Sequence, residues 1–500
     1  MLAAWLITTH GGSAHAAALG PCDIYGNTGT PCVAAHSTTR ALYASYDGPL
    51  YDVARFSDSK VKKIGLLTTG GYANAAAQDA FCKNTVCMIT RIYDQSPLHN
   101  DLTVEGSGGN GHADVGARAD ALPVVVDGHA VYGLLVFAGV GYRNDKTIGV
   151  ATNGQPEGMY MVTSGTHVNG ACCFDYGNAE VNNDDNGNGH MDAINFGTEC
   201  WFAKCYGTGP WVQADMENGL FASNEGVSED TANTGNTSPF VTALIKNNGQ
   251  NAMAIKAGDA TQGLLSTTFS GGEPVVNGGG YSPMHQEGAI VLGTGGDNSN
   301  GSIGSFFEGV MTAGFPTDAT DNEVQANIVS VGYGGATGIV GNLKSNAEIS
   351  LLTQSPCCQD YYLSHQGSAS TAAVIAPVAT GNATEAADAT WIVRPGLANA
   401  TCLSFEARNR PGDYLRHYNF QLMRESYDGT SQFEEDGTFC PVKGNDGSGK
   451  SFQSFNYPTK FIRDYNYNVY VAGDGGTNAW DTTIGFPNDS SWTVKAPLSP

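Results

Sequence analysis

Positive charge is scarce in this chain of 500 residues: 24 lysines and arginines stand against 48 aspartates and glutamates, for a formal net charge of −24. That balance leaves no electrostatic footprint for nucleic acid or an anionic membrane surface. Charged residues of either sign make up only 14% of the chain, yet no apolar stretch approaches the roughly 20 residues of a membrane span. Long helical periodicities are few. The twelve cysteines form no CxxC pair and no Cys/His cluster of a zinc site, and the eleven histidines are not grouped as metal ligands would be. GxSxG, HExxH and P-loop patterns are missing, which disfavours a serine esterase, a zincin and a nucleotide hydrolase. Neither a metal nor an organic cofactor is expected.

What is present favours sheets. Glycine is abundant at 66 residues and 41% of the chain is hydrophobic, enough for sizeable cores joined by many turns. The length predicts two domains. The cysteines fall into local pairs: Cys22 with Cys32, Cys82 with Cys87, Cys172 with Cys173, Cys200 with Cys205, Cys357 with Cys358, and Cys402 with Cys440. Small-loop disulfides in an oxidising compartment account for them. Five Asn-x-Ser/Thr sequons (Asn236, Asn300, Asn382, Asn399, Asn488) agree with secretion. Residues 1–18 carry a short apolar run and small residues near Ala16–Ala18, but no basic start, so they read as a degenerate signal segment. A secreted, soluble monomer is expected.

Residues 20–130 mix short strands and turns with two candidate short helices, around Ser37–Tyr46 and Asn74–Cys82. Strand signals then become regular: Ala130–Phe137, Gly158–Val162, Phe240–Ile245, Ala252–Ile255, Ala289–Leu292 and Phe306–Met311, each bounded by Gly, Asn or Asp. This is the pattern of an all-β sandwich. Thr320 and Glu323 form a capping box before Val324, Ile328 and Val331 at helical spacing. A glycine-rich stretch follows, and a β-sandwich domain over 19–342 is expected to give way to a second domain over 343–500.

That second domain repeats itself at roughly fifty residues. Tyr362-Leu363-Ser364-His365, Tyr414-Leu415-Arg416-His417 and Phe461-Ile462-Arg463-Asp464 match one another. So do Asp388 to Trp391, Asp436 to Phe439 and Asp489 to Trp492. Three β-rich units predict a β-trefoil, a fold that by itself does not establish binding. Trp391, Phe439 and Trp492 read as its repeated core, the Asp and His positions as pocket residues.

Two stretches can carry chemistry. In Gly209–Asn218 the period is two, so Val212, Ala214 and Met216 share one face while Trp211, Gln213, Asp215 and Glu217 share the other. A ring, an amide and two carboxylates in a row suit a sugar cleft, though a solvated strand of an acidic protein reads the same way. After Ala289–Leu292, glycines deliver Asp297 at the end of a buried strand. Glycoside cleavage needs two carboxyl groups about one bond, and Glu217 with Asp297 is the pair these contexts single out. A separation of about 5–5.5 Å would imply retention and a wider one inversion. Cys172 and Cys173 are either bonded to each other, a strained link of the kind found at ligand clamps, or each bonded elsewhere. Asp184 to Gly189 imitates a calcium loop but has Asn195 where the bidentate Glu belongs.

The runs GPCDIYG, CVAAHSTTRALY, ACCFDYGNAE, GHMDAI, DMENGLF, EGAIVLGTGGDNSNG and YLRHYNF closely resemble fungal α-L-arabinofuranosidases of glycoside hydrolase family 54. The carboxy-terminal part resembles their arabinose-binding module, carbohydrate-binding module family 42. The resemblance implies a β-sandwich catalytic domain, a β-trefoil module and retaining release of terminal α-L-arabinofuranosyl groups from arabinoxylan, arabinan and related plant cell-wall side chains. It places the nucleophile at Glu217 and the general acid/base at Asp297. It puts sugar contacts at Asp215, Asn218, Gly296 and Trp201, and at Cys172 and Cys173 joined as a vicinal disulfide. In the module it implies binding by His417 and Asp436 of the second repeat and by Asp489 of the third. There Asp464 stands where the family has His, so the third pocket is expected to be weakened, since an Asp cannot donate as His⁺ does. Cys200/Cys205 and Cys357/Cys358 look like additions to the family pattern, the former stapling the loop of Trp201. A non-catalytic lectin and a secreted structural glycoprotein are the other classes these features admit.

Overall fold

The computed structural model describes residues 19–499 apart from 84, 202–204, 225–230, 276–278, 335–338, 341–342, 345, 366–371 and 400–401. The expected signal segment, 1–18, lies outside the described residues. So does part of the expected domain junction. No helix among the described residues is long and apolar enough to cross a membrane.

The amino-terminal part is a sandwich of antiparallel sheets. One has six strands in the order Cys32–Ser37, Glu308–Ala313, Glu157–Thr163, Val241–Asn247, Met253–Asp259 and Ser266–Gly271. The other has ten, from Leu220–Phe221 through Trp211–Asp215, Asp192–Gly197, Asp175–Ala179, Ala289–Leu292 and Tyr142–Asn144 to Val61–Ile64 at the far edge. Tyr176, Phe196, Val212 and Ala214 of the ten-stranded sheet share one apolar cluster with Met161, Ala243 and Ile245 of the six-stranded one. Both faces of the central strands are covered, so Glu157–Thr163 and Val241–Asn247 are buried along their whole length. The helix Asp318–Ser330 is held to the six-stranded sheet by buried charge. Lys246 and Lys256 each reach Asp321, at 2.8 and 2.6 Å, while Arg40 makes a two-pronged contact with Glu308.

Three local expectations need correction. No helix forms around Ser37–Tyr46: the strand ends at Ser37, whose hydroxyl accepts from the amides of Thr39 and Arg40, a local bond that competes with helical pairing. The cap of Asp318–Ser330 is Thr317, which accepts from the amide of Thr320. Starting a turn earlier brings Asp318 and Asp321 to the two lysines. Phe306–Met311 is two strands, because the chain changes sheets at Phe307, whose carbonyl pairs with the Thr38 amide. The helix Ala75–Phe81 forms as expected, capped by Asn74.

The carboxy-terminal part is a ring of twelve strands with threefold pseudo-symmetry, a β-trefoil. Each unit holds a hairpin, a short helix and the strand that follows it: Tyr361–His365 with Ala373–Pro377, Ala383–Asp388 and Trp391–Pro395 in the first. The second has Asp413–Tyr418, Gln421–Ser426, Ser431–Asp436 and Phe439–Lys443; the third has Phe461–Tyr465, Asn468–Ala472, Phe486–Asp489 and Trp492–Lys495. Trp391, Phe439 and Trp492 are fully buried together. The two indoles donate to equivalent carbonyls, Leu363 and Ile462, at 3.0 and 3.1 Å.

Five cysteine pairs are bonded as expected, and Cys357 with Cys358, whose state the sequence leaves open, makes a sixth: Cys22 to Cys32, Cys82 to Cys87, Cys172 to Cys173, Cys200 to Cys205, Cys357 to Cys358, and Cys402 to Cys440. The last corrects the expectation of small loops throughout. Cys440 lies 38 residues from Cys402 in sequence, so its bond is a tertiary link. Strand register brings the two together: Leu403, next to Cys402, pairs with Phe439, next to Cys440. Cys440 is buried, and with Cys402 and Phe455 it packs into the apolar cluster of the sandwich and not that of the trefoil. Cys440 is therefore a structural residue at the seam between the two parts. The other five pairs are separated by ten residues or fewer.

Candidate active site

The strand Trp211–Asp215 alternates as its sequence predicts, with Val212 and Ala214 in the core. The alternation stops there. Glu217 and Asn218 take left-handed backbone conformations, φ 57° and 51°, so Glu217 belongs to a turn and not to the strand face on which the period placed it. Non-glycine residues adopt that region at a cost. The turn is pinned from three sides. The Glu217 amide donates to Asp215 Oδ1 at 3.1 Å, the Met216 amide bonds the Gly219 carbonyl, and the Tyr281 hydroxyl reaches the Glu217 and Asn218 carbonyls.

Asp297 arrives on a second loop. The Gly293 amide bonds the Asp175 carbonyl, and Gly295 and Cys173 both donate to the Ser299 carbonyl. Asp297 accepts from the amide and the hydroxyl of Ser299. The Asn110 amide bonds the Asp297 carbonyl at 2.9 Å and the Gly301 amide bonds that of Cys172 at 3.0 Å. The loop of Asp297 and the Cys172–Cys173 disulfide are thereby one unit.

These loops enclose a pocket of about 330 Å³. Every residue expected at the sugar lines it: Cys172, Cys173, Trp201, Asp215, Glu217, Asn218, Gly296 and Asp297. Trp201 is 43% exposed at the rim, on the loop closed by Cys200–Cys205, whereas Trp211 is buried and donates to the Tyr206 carbonyl. Ligand-type atoms of Cys172, Cys173 and Asp215 lie within 4.8 Å of one another, but both sulfurs are taken up by the disulfide and are not the thiolates a metal takes.

Sequence reading missed the supports beneath this pocket. Arg143, from the strand Tyr142–Asn144, donates to the Gly296 carbonyl at 2.7 Å and to the Glu180 carbonyl, tying both loops to the sheet. Asp175 is buried beside Asp215, with Asn195 donating to Asp175 at 2.8 Å. Burial, then the charge of Asp215, raises Asp175 well above the usual carboxylate range. Glu180, also buried, acts on Glu217 from beneath the pocket. Burial, then Glu180, holds Glu217 well up. Signals existed for these residues: Glu180 closes a buried run, and Arg143 is one of the chain's few cations set beside apolar strands.

In the module, the second repeat builds a compact polar pocket. His417 Nε2 lies 3.2 Å from Asp436 and 2.8 Å from Asn456 Oδ1, and Asn456 donates to Asp436 at 2.7 Å. Phe420 and Tyr457 pack beside it, ring centroids 4.8 Å apart. The first repeat holds a matching trio, His365, Asn409 and Asp388. In the third, Asp464 accepts from Thr353 at 2.8 Å and from Ser355, whose hydroxyl also lies 2.7 Å from Asp489. Burial pushes Asp464 up to about 6, with the charge of Asp489 adding to it. Arg463 reaches Asp489 at 3.1 Å.

Residues 21–334 match the family described as the catalytic domain of α-L-arabinofuranosidase B, and residues 351–494 match the α-L-arabinofuranosidase B (ABFB) domain. An α-L-arabinofuranosidase of Hypocrea jecorina is 50% identical over 490 residues, covering 96% of this chain and 95% of its own. A probable α-L-arabinofuranosidase B of Aspergillus clavatus is 47% identical over 494 residues, with 97% and 96% covered. A solved arabinofuranosidase complexed with arabinofuranosyl-α-1,2-xylobiose superposes with a TM-score of 0.84 at 44% identity, over 96% of this chain and 100% of that one.

Proposed function

The chain belongs to the α-L-arabinofuranosidase B family, glycoside hydrolase family 54, and from that premise we propose that it is a secreted, retaining enzyme that removes terminal α-L-arabinofuranosyl groups from arabinoxylan, arabinan and related hemicellulose side chains. One observation carries the reading. Two separate loops deliver Glu217 and Asp297 to a single small pocket, walled by a disulfide and rimmed by Trp201. A pocket of about 330 Å³ suits one terminal sugar.

The mechanism has two steps. Asp297, protonated, gives its proton to the leaving oxygen as Glu217 attacks the anomeric carbon and the glycosidic bond breaks. A covalent arabinofuranosyl–enzyme forms. Asp297, now ionised, takes a proton from water as that water attacks the same carbon and releases Glu217. Asp215 and Asn218 hold ring hydroxyls, the Cys172–Cys173 disulfide packs on the sugar, and Gly296 leaves room beside it. Residues 19–342 form the catalytic domain. Residues 343–500 form the arabinose-binding module, with its main pocket at His417 and Asp436 and a closed one at Asp464 and Asp489. The chain works as a monomer.

The test is turnover of 4-nitrophenyl α-L-arabinofuranoside by the wild type beside Glu217→Ala and Asp297→Ala, with the first-formed anomer followed by NMR. Turnover with retention, and loss of several orders of magnitude in both variants, is expected. Azide should restore Glu217→Ala as an inverted glycosyl azide. A folded wild type that releases no arabinose would leave a lectin.

A further inference from the structure

The two carboxyl oxygens of Asp297 are not equivalent. Oδ1 accepts from the Ser299 amide at 3.0 Å and from the Ser299 hydroxyl, and both residues line the pocket. Among the described residues Oδ2 meets no donor. A carboxyl oxygen has two lone pairs, and Ser299 takes up both on Oδ1. The proton of the acid form is thereby left to Oδ2. An aspartate that only closes a turn needs the amide two residues on; the hydroxyl is a second bond to the same oxygen.

The loop holds that hydroxyl in place. Between the two residues Asn298 takes a left-handed conformation, φ 65°, which turns the chain back so that Ser299 meets the carboxyl. The Ser299 carbonyl accepts from the amides of Gly295, at 3.0 Å, and Cys173, at 2.9 Å. Ser299 is thus tied both to the glycine run and to the disulfide. Gly295 leaves the hydroxyl its space: a Cβ there would stand 2.7 Å from Ser299 Oγ and 3.5 Å from Cys173 Sγ.

We propose that Ser299 is a positioning residue for the acid/base: its hydroxyl and amide hold Oδ1 of Asp297, so that Oδ2 alone moves the proton in both steps. The proposal rests on the assignment of Asp297 as acid/base above. In the first step the bond from Oδ2 to its proton breaks and the proton passes to the leaving oxygen, as Glu217 bonds the anomeric carbon. In the second step Oδ2 takes a proton from water while the water oxygen bonds that carbon and Glu217 departs. Ser299 gives up no proton in either step. Without its hydroxyl one donor remains on Oδ1, and the carboxyl group can rotate about its last bond. Only steps that need the proton then suffer. A packing residue would not discriminate between them.

The experiment compares wild type, Ser299→Ala, Ser299→Thr and Asp297→Ala on two substrates. The leaving sugar of an arabinofuranosyl-xylobiose needs a proton; the leaving phenolate of a dinitrophenyl arabinofuranoside needs none. On the first, Ser299→Ala should lose roughly tenfold to a hundredfold in kcat/KM. On the second, its kcat/KM should stay within about twofold of wild type, while kcat and KM fall together by about tenfold because release of the intermediate still needs the base. Ser299→Thr keeps the hydroxyl and should follow the wild type on both. Equal losses of kcat/KM on the two substrates in Ser299→Ala, wild-type constants on both, or a Ser299→Thr no better than Ser299→Ala would overturn the proposal. Asp297→Ala separates it from the reading beneath. If that variant loses kcat/KM equally on both substrates, Asp297 is not the acid/base; if it shows the split and Ser299→Ala does not, the role of Ser299 alone fails.

Discussion

His167 should make the seam between sandwich and trefoil sensitive to acid. Its ring is fully buried between Phe137 of the sandwich and Phe455 of the trefoil, centroids 5.2 Å from each. Nε2 lies 3.0 Å from the Val136 carbonyl and Nδ1 has no partner. A proton on Nδ1 would put an unpaired donor and a charge among aromatic rings. Burial accordingly lowers the ring from 6.5 to about 4, with the Val136 carbonyl opposing it weakly. Between those values the unfolded chain binds a proton that the folded chain refuses. The stabilisation is complete above pH 6.5, falls as the pH drops through that value, and is gone below about 4. At about 1.4 kcal/mol for each pH unit, the whole interval is worth roughly 3 kcal/mol. Urea unfolding of wild type and His167→Phe from pH 7.5 to 4 measures it. Phe fills the same aromatic gap without a titrating group, so the difference in stability should shift in favour of the variant by that amount as the pH falls. Parallel curves would refute the argument, because carboxylates elsewhere titrate in both proteins.

Two shorter tests address the pockets. Gly296→Ala places a methyl group on the Glu180 carboxyl; φ is not the obstacle there, so the loss is steric, and overpacking of about 1–3 kcal/mol should lower kcat/KM by roughly tenfold to a hundredfold. Wild-type kinetics from a folded Gly296→Ala would show that the Glu180 carboxyl can move away at no cost. In the module, His417→Ala should weaken retention on insoluble arabinoxylan by about tenfold, since it removes the ring that meets both Asp436 and Asn456 in the pocket. Asp464→Ala should alter retention by less than about twofold, because Thr353 and Ser355 already occupy that carboxyl. Equal effects of the two substitutions would mean that the third pocket binds sugar despite its Asp.

Some of this was written along the chain. Period two in Trp211–Asp215, the glycines before Asp297, the near-neighbour cysteine pairs and the fifty-residue repeat are local signals, and each specifies its element whatever packs on it. They delivered an all-β sandwich, a trefoil and the carboxyl pair of Glu217 and Asp297. Where such signals misled, a distant partner overrode them. Lys246 and Lys256 moved the helix cap to Thr317, Phe307 broke one apolar run between two sheets, and the bonds from Asp215 and Tyr281 turned Glu217 off its strand. Tertiary structure alone decided the rest. Glu180 is buried beneath Glu217, Asp175 beside Asp215, and Arg143 clasps two loops more than thirty residues from it in sequence. Strand pairing set Cys440 beside Cys402 and turned both toward the sandwich. Ser355 closes the third pocket from the start of the trefoil, 109 residues before Asp464. A carboxyl group reads alike in sequence whether it faces water or the interior; only the register of strands decides which, and only burial then disfavours its charge.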